Sequence, residues 1–315
     1  MKKIIKKIQK NEQVSLIIIL IAIVCVFTAI QPNYFSVRNL INILFSASIV
    51  GMVAFGETFL IIGGQIDLSP GAVAAFSGVL AAILLNAGVP MILTIFIVIA
   101  MAMLIGYLIS LMINFLKMEP FIVTLAIMSV FTGLAFIIGG GRSIPITNKS
   151  FIYFGAGDIF GIPISIVIFA VIFVIFHIIL TRTRFGRTVY MVGGNEAASR
   201  LAGINPKKIK TMLYLITPVM ASIGGMILAG RMNSGQPTAQ SHLMFGALTA
   251  AIVGGVRFGG GKGTLYGCLI GVLLLESFKN GIAVLNVQTF WQNVASGVLL
   301  IVALSADYAR TARNK

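Results

Sequence analysis

Long apolar segments run almost without interruption through this chain of 315 residues. Hydrophobic residues make up 58% of it and charged residues 10%, whereas soluble domains are about 45–50% apolar and about 25% charged. A membrane-spanning helix needs about 20 mostly apolar residues, so the composition supplies about eight to ten spans. The pattern excludes a soluble enzyme and disfavours an outer-membrane barrel, whose strands alternate apolar and polar residues. We therefore predict an all-α membrane protein.

Ten segments are predicted to span the membrane. They are residues 14–30, 40–62, 70–86, 91–116, 121–139, 162–180, 211–230, 246–256, 264–285 and 290–306. The eighth is too short to cross alone, and the tract before the third is rich in glycine. We expect a broken or re-entrant segment near 63–70 and near 246–262, covered by protein or water. Because no loop is long enough to bury a core, residues 1–315 are predicted to form a single transmembrane domain.

The distribution of positive charge predicts the orientation of these spans. The net charge is +15, from 23 Lys and Arg against 8 Asp and Glu. Cytoplasmic loops of membrane proteins collect Lys and Arg, so this excess indicates topology and not a nucleic-acid partner. With ten crossings, both termini are cytoplasmic, and residues 1–13 form a short basic N-terminus. The basic residues then left outside are Arg38, Arg142, Lys149 and Arg231.

Signals for catalysis and for metal binding are missing from the sequence. Cys25 and Cys268 lie inside apolar runs, and the two histidines have no Cys, Asp or Glu at ligand spacing. The tract 259–262 lacks the first Gly and the Ser or Thr of a nucleotide-binding loop. No nucleophile–base pair is recognisable. We expect no metal, no cofactor on this chain and no enzymatic activity, so any ATP would be hydrolysed by a partner.

The cytoplasmic loop 181–210 carries the clearest local signals. Asn195 is a good helix N-cap, and Glu196 falls in the first turn, where negative charge is favoured. A helix of about two turns with a small, partly apolar face follows and stops at Gly203. Such a face suits docking into another protein, although an ordinary connector is the alternative. The docking candidates are Asn195, Glu196, Ala197, Ala198, Arg200, Leu201 and Gly203.

Polar and acidic residues within the spans are candidates for a translocation path. An intramembrane acid is costly unless paired or hydrated, so Asp67 is either functional or a cap for the helix that begins near 69–70. Glu276 and Lys279, three residues apart, can neutralise each other, and Glu57 can pair with Lys279. Alternatively, these groups meet the solute. The path candidates are Ser48, Glu57, Asp67, Glu276 and Asn280.

A stripe of small residues opens the ninth predicted span. Gly263, Gly267 and Gly271 repeat every four residues. Small residues at this spacing let two helices approach closely in a membrane, so we predict a helix-packing role for them.

Seven tracts occur in an order that is typical of one family. They are PNYFSVRNLINIL (32–44), IDLSPG (66–71), TRTRFGR (181–187), GGNEAASRLAGINPKKIK (193–210), QPTA (236–239), GGGKGTLYGCLIG (259–271) and NG (280–281). Together they resemble the permease subunits of ribose-type (monosaccharide) ABC importers, the binding-protein-dependent transport system inner membrane component family. Gln65, Pro70 and Glu57 depart from the usual residues of that family.

The resemblance implies a function and a set of partners. It implies a multi-pass permease subunit of the cytoplasmic (inner) membrane that moves a ribose-like pentose or a hexose. The helix in loop 181–210 would couple to an ATPase with two nucleotide-binding domains, which binds the ATP and Mg. An extracytoplasmic sugar-binding protein and a second permease copy, identical or different, would complete the system.

Two alternatives stay open from the residues. One is a proton-coupled secondary transporter of a small polar solute, with Glu57, Asp67 and Glu276 as its titratable groups. The other is the permease of an amino-acid ABC importer of related fold.

Overall fold

The computed structural model describes residues 12–238 and 243–313. The first eleven residues of the predicted basic N-terminus therefore lie outside the described residues. The α-helices in these ranges are α1 Glu12–Ile30, α2 Val37–Ile62, α3 Pro70–Asn86, α4 Met91–Asn114, α5 Pro120–Gly139, α6 Lys149–Ala156, α7 Ile164–Arg182, α8 Arg184–Gly194, α9 Glu196–Leu201, α10 Pro206–Arg231, α11 Leu243–Val253, α12 Leu265–Val284 and α13 Thr289–Arg313. Four two-residue strands accompany them: β1 Ile144–Pro145, β2 Asp158–Ile159, β3 Ile162–Pro163 and β4 Ser234–Gly235.

The prediction of an all-α membrane protein is confirmed. Among the described residues, 7 helices are long and apolar enough to cross a membrane, namely α1, α2, α4, α5, α7, α10 and α12. Three further apolar stretches are shorter: α3, α11 and residues 290–302 of α13. Helix α11 has 11 residues, which at the α-helical rise extends about 16 Å, roughly half of a hydrocarbon core. It matches the broken segment predicted near 246–262.

Local sequence signals set the helix boundaries. Proline occupies the first turn of α3, α5 and α10, where its missing N–H removes no hydrogen bond. Side-chain oxygens cap other helix starts by accepting backbone N–H groups. The capping residues are Ser36 for α2, Asn148 for α6, Thr183 for α8, Asn195 for α9, Asn205 for α10 and Thr264 for α12.

Helices α2 and α10 form the centre of the bundle. In the most apolar stretch of 18 residues, 89% of the residues are buried in α2 and 6% in α1. Helix α1 therefore lies at the periphery. Helix α10 packs against α2, α3 and α4. Backbones meet where glycine removes the side chain, because a Cβ on Gly225 would fall on the Ala74 carbonyl and one on Gly106 would fall on the Tyr214 carbonyl. Pro218 has no backbone N–H to donate to the Tyr214 carbonyl four residues earlier, so this oxygen lacks the usual helical hydrogen bond. Gly106 packs over it.

The connections between helices collect at two ends of the bundle. At one end, β1 pairs antiparallel with β4, with Ile144 opposite Gly235, and α6 packs against the end of α10. At the other end lie the non-helical link 63–69, the loop with α8 and α9, and the loop 254–264, which the amide of Gly261 joins to the Ile62 carbonyl at 2.8 Å. The basic loop 181–210 therefore lies opposite the loop 140–161, as the charge distribution predicts.

Candidate functional site

The loop 181–210 folds into two helices, α8 and α9. Only the second, α9, was predicted from the sequence. Helix α8 begins at Arg184, where the Thr183 hydroxyl accepts the Gly186 amide at 3.1 Å, and it runs through Gly193 and Gly194. The side chains of Val189 and Val192 are buried, so α8 lies against the bundle and brings α9 to its surface.

Helix α9 is short and is defined at both ends by the residues predicted to do so. The Asn195 side chain accepts the Ala198 amide at 2.9 Å, which caps the helix. Six residues follow, Glu196–Leu201. Gly203 then adopts a φ of 80°, a left-handed conformation that glycine adopts without strain, and its amide donates to the Arg200 carbonyl at 3.0 Å.

Glu196 ties α9 to the long helix α10. Its two carboxylate oxygens accept from Lys210 and from Arg200, each at 2.8 Å. The hydrogen bond from Lys210, reinforced by that from Arg200, holds the pKa of the Glu196 carboxyl below its ordinary value. Lys210 belongs to the first turn and a half of α10, so this ion pair connects α9 to a helix at the centre of the bundle.

The outward face of α9 is small and apolar. Ser199 faces inward, and its hydroxyl donates to the Asn195 carbonyl at 2.8 Å. The exposed residues of this face are Ala197, Ala198, Leu201 and Ala202. The Leu201 side chain is 92% exposed, so it projects between alanines that let another surface come close. A leucine in this setting gains free energy when a partner covers it.

Two buried acids, Glu57 and Asp67, lie close enough to interact near the link 63–69. Glu57 is 0% exposed and Asp67 is 1% exposed. One Asp67 oxygen accepts the Ser69 amide at 2.7 Å, at the start of α3. Among the described residues, neither Glu57 oxygen has a hydrogen-bond partner, and nor does the second Asp67 oxygen. Asp67 thus binds the backbone at the start of α3 and still has one oxygen without a partner. Both interpretations, a helix cap and a functional acid, are consistent with this geometry.

Sequence reasoning missed Tyr214, which joins this region to α10. Its hydroxyl lies 3.2 Å from the Gln65 side-chain oxygen and 3.2 Å from the Ile66 carbonyl, and the side chain is fully buried. The signal was available, because a hydroxyl in an apolar span needs a partner. The Tyr214 side chain therefore fixes the link 63–69 against α10.

The other path candidates fall in separate places. Glu276 pairs with Lys279 at 3.2 Å on α12, so the predicted alternative of a Glu57–Lys279 pair does not form. The Ser48 hydroxyl donates to the Phe45 carbonyl of its own helix at 2.6 Å. The Asn280 side chain accepts from Asn39 at 2.8 Å. Glu57 lies beside Asp67 near the link 63–69, whereas Glu276 and Asn280, one turn apart on α12, lie near the start of α2.

The glycine stripe divides at the start of α12. A Cβ on Gly267 would fall on the carbonyl oxygen of Gly254, and one on Gly271 on that of Ala250, so α12 directly contacts the backbone of α11 and of Gly254, the residue after it. Gly263 precedes the helix in the loop and does not share their face. The Thr264 hydroxyl accepts the Gly267 amide at 3.0 Å, which makes Thr264 the N-cap and Leu265 the first helical residue.

These features define a multi-pass helical membrane protein with an exposed helix held beneath its bundle. The family described as "Branched-chain amino acid transport system / permease component" matches residues 39–304. The chain belongs to this family of permease subunits of the cytoplasmic (inner) membrane.

Relatives match over most of their length. The "Ribose import permease protein" of Bacillus subtilis (strain 168) is 37% identical over 93% of this chain and 92% of the relative. The "L-arabinose ABC transporter permease protein" of Azospirillum brasilense is 34% identical over 90% and 84%. The "D-allose transport system permease protein" of Escherichia coli (strain K12) is 32% identical over 92% and 89%. No solved structure matches the chain.

Proposed function

We propose that this chain is the permease subunit of an ATP-driven importer of a monosaccharide. The observation that carries the proposal is α9, a capped helix with an exposed leucine that is anchored to the central helix α10. The relatives named for ribose, L-arabinose and D-allose support a sugar, although the family description names branched-chain amino acids. As a transport permease, the chain is not itself an enzyme.

The ATPase binds the face of α9. We infer a cytoplasmic partner with two nucleotide-binding domains, which binds ATP and Mg and offers an apolar groove for Leu201. ATP binding moves α9 as a rigid lever, because the Glu196–Lys210 ion pair at 2.8 Å links the short helix to α10. Helix α10 contacts α2, α3 and α4, so its displacement changes the centre of the bundle.

Other partners complete the system at the opposite end and beside the chain. The surface made by loop 140–161 and the residues after α10 receives an extracytoplasmic sugar-binding protein. Within the described residues, the path candidates of a single chain fall into separate groups, which supports a path formed with a second permease copy, identical or different. Ser48, Glu57, Asp67, Glu276 and Asn280 remain our candidates for contact with the sugar.

The docking role is tested by Leu201→Asp. Because the Leu201 side chain is 92% exposed, the substitution places no charge in the core and leaves folding intact. We expect the ATPase to be lost from a gentle affinity purification of the variant and ATP-dependent sugar uptake to fall by at least tenfold, about 1.4 kcal/mol of docking free energy. Leu201→Met, which keeps an apolar side chain, is the matched control and retains both. Wild-type uptake by Leu201→Asp would contradict the docking role.

The proton-coupled alternative is separated by its energy source. Vesicles containing this chain alone are given an inward proton gradient. Vesicles containing the chain with its co-purified partners are given ATP. We expect uptake of labelled ribose, arabinose or allose only with ATP and the partners. Uptake that follows the proton gradient without an ATPase would support a secondary transporter.

A further inference from the structure

Glycines from three distant parts of the chain meet at the cytoplasmic end of the bundle. We call this contact the glycine junction: Gly63–Gly64 after α2, Gly193 near the end of α8, and Gly260–Gly261 in the loop between α11 and α12. Gly193 lies two residues before Asn195, the N-cap of the docking helix α9. The junction therefore joins the docking helix to α2 and to the α11–α12 loop.

The contacts within the junction are between backbones. A Cβ on Gly193 would fall on the Ile62 carbonyl oxygen and would lie 2.9 Å from the Gly261 nitrogen. A Cβ on Gly260 would lie 2.6 Å from the Gly193 carbonyl oxygen, and one on Gly261 would lie 2.7 Å from the Gly194 Cα. Real Cβ atoms do not approach backbone atoms this closely, so no side chain fits at these three positions without moving one segment away from another.

Two hydrogen bonds hold the three segments in this arrangement. The Gly261 amide donates to the Ile62 carbonyl at 2.8 Å, which joins the α11–α12 loop to α2. The Tyr190 hydroxyl of α8 donates to the Gly263 carbonyl at 2.7 Å, which joins α8 to the same loop. Backbone contact without intervening flexible side chains transmits small displacements, because packed interiors resist compression.

The junction lies next to the parts of the fold that are suited to move. Gly63 and Gly64 begin the non-helical link 63–69, which carries Asp67, and Gly260–Gly261 follow the half-length helix α11. On the Gly63 side, a Cβ would meet the Leu213 side chain of α10. A displacement of α9 thus reaches both interrupted segments of the bundle directly, independently of the Glu196–Lys210 pair.

We propose that the glycine junction is the coupling element that converts movement of α9 into opening of the path, with Gly193 as its central positioning residue. This inference rests on the proposed function, since it assigns a route to the ATP-driven movement. It also explains why α8 keeps glycine at a helical position, where alanine would favour the helix.

The test compares Gly193→Ala with Gly194→Ala. Both positions belong to α8, but a Cβ on Gly194 has no atom within 4 Å, so the neighbouring substitution is a matched control. The permease is purified with its ATPase and placed in lipid vesicles with the binding protein. Uptake of labelled ribose, arabinose or allose and release of phosphate are measured in the same vesicles, and their ratio is the coupling ratio.

We expect Gly193→Ala to retain its ATPase and to hydrolyse ATP, while its coupling ratio falls about tenfold, a size typical of coupling between sites. Gly194→Ala should keep the wild-type ratio. A wild-type ratio in Gly193→Ala, or an equal fall in Gly194→Ala, would overturn the proposal. A wild-type complex without ATP-dependent uptake of any of the three sugars would instead overturn the proposed function, and with it the role of the junction.

Tyr190→Phe keeps the proposal testable if Gly193→Ala does not assemble. It adds no atom and removes only the hydrogen bond to Gly263. We expect normal assembly and a coupling ratio reduced by about threefold, below the loss for Gly193→Ala because one hydrogen bond contributes modestly. An unchanged ratio in Tyr190→Phe, with Gly193→Ala unable to assemble, would overturn the proposal.

Discussion

Acidic residues near α9, at the surface, and in the interior of the bundle have opposite surroundings. Glu196, at the surface, accepts from two cations at 2.8 Å each. Glu57, in the centre, is 0% exposed and neither of its oxygens has a partner among the described residues. Glu276 is intermediate, since it is buried but paired with Lys279. A surface ion pair contributes little to the free energy of unfolding. A buried carboxylate lowers that free energy unless it is protonated or paired. This contrast is the reason we propose Glu57 as a candidate for the translocation path.

The largest effect is expected from breaking the buried ion pair. Glu276→Gln leaves the Lys279 ammonium without its carboxylate, with the Lys279 side chain only 21% exposed. Removing one partner of a buried pair costs about 3 kcal/mol or slightly more, because the remaining charge is uncompensated. We expect this loss in the free energy of unfolding, measured by denaturant titration in detergent micelles.

The double variant Glu276→Gln/Lys279→Met supplies the control for that measurement. It removes both charges, so it should recover most of the stability lost in the single variant. If the single variant were as stable as the wild type, the pair would not be a buried ion pair in the membrane, and the Glu276 carboxylate would be free to contact the sugar.

Glu57→Met is expected to change stability in the other direction, or hardly at all. Methionine has a similar volume and has no oxygen that needs a partner, so the variant should be neutral or more stable by about 1 kcal/mol. If Glu57 meets the solute, sugar uptake should nevertheless fall while the ATPase stays bound. Glu57→Gln keeps polarity at the same size and should retain part of that uptake. A destabilised Glu57→Met would show instead that the acid has a structural partner.

Local signals in the sequence predicted the ends of α9 well, and the interior contacts poorly. Asn195 and Gly203 act on their own helix within a few residues, so their types and spacing were enough to place α9. The meeting of Gly193 with Ile62 and Gly261 depends on chain segments that are far apart in sequence, and no spacing rule describes it. The periodicity of the glycine stripe likewise included Gly263, because the capping hydroxyl of Thr264 was not weighed against it.

The interior polar groups show the same limit. Glu57 and Asp67 were recognisable as unusual residues from their apolar surroundings alone. Their proximity, and the Tyr214 hydroxyl that holds the link 63–69, follow from the way α2 and α10 pack. The sequence therefore identified which residues were costly, while the packing decided which of them are neighbours.

The smallest expected effect concerns Glu196 and its dependence on pH. Its folded-state pKa lies below the ordinary value of 4.5, mainly because Lys210 donates to it. The ion pairs therefore contribute fully above pH 4.5 and are lost as the pH falls through the folded-state pKa. Because the Glu196 side chain is 37% exposed, solvent screening limits the contribution to about 0.5 kcal/mol.

Hydrogen exchange of the α9 amides between pH 6 and pH 3 detects so small a change. In the wild type, protection, corrected for the intrinsic pH dependence of exchange, should decrease toward the acid end. Glu196→Gln should start with lower protection and show a flatter profile, whereas Glu119→Gln, which alters an exposed acid at the same end of the bundle, should follow the wild type. A wild-type profile in Glu196→Gln would mean that the Asn195 cap alone holds α9, and that the link from Glu196 to α10 does not contribute to holding the docking helix in place.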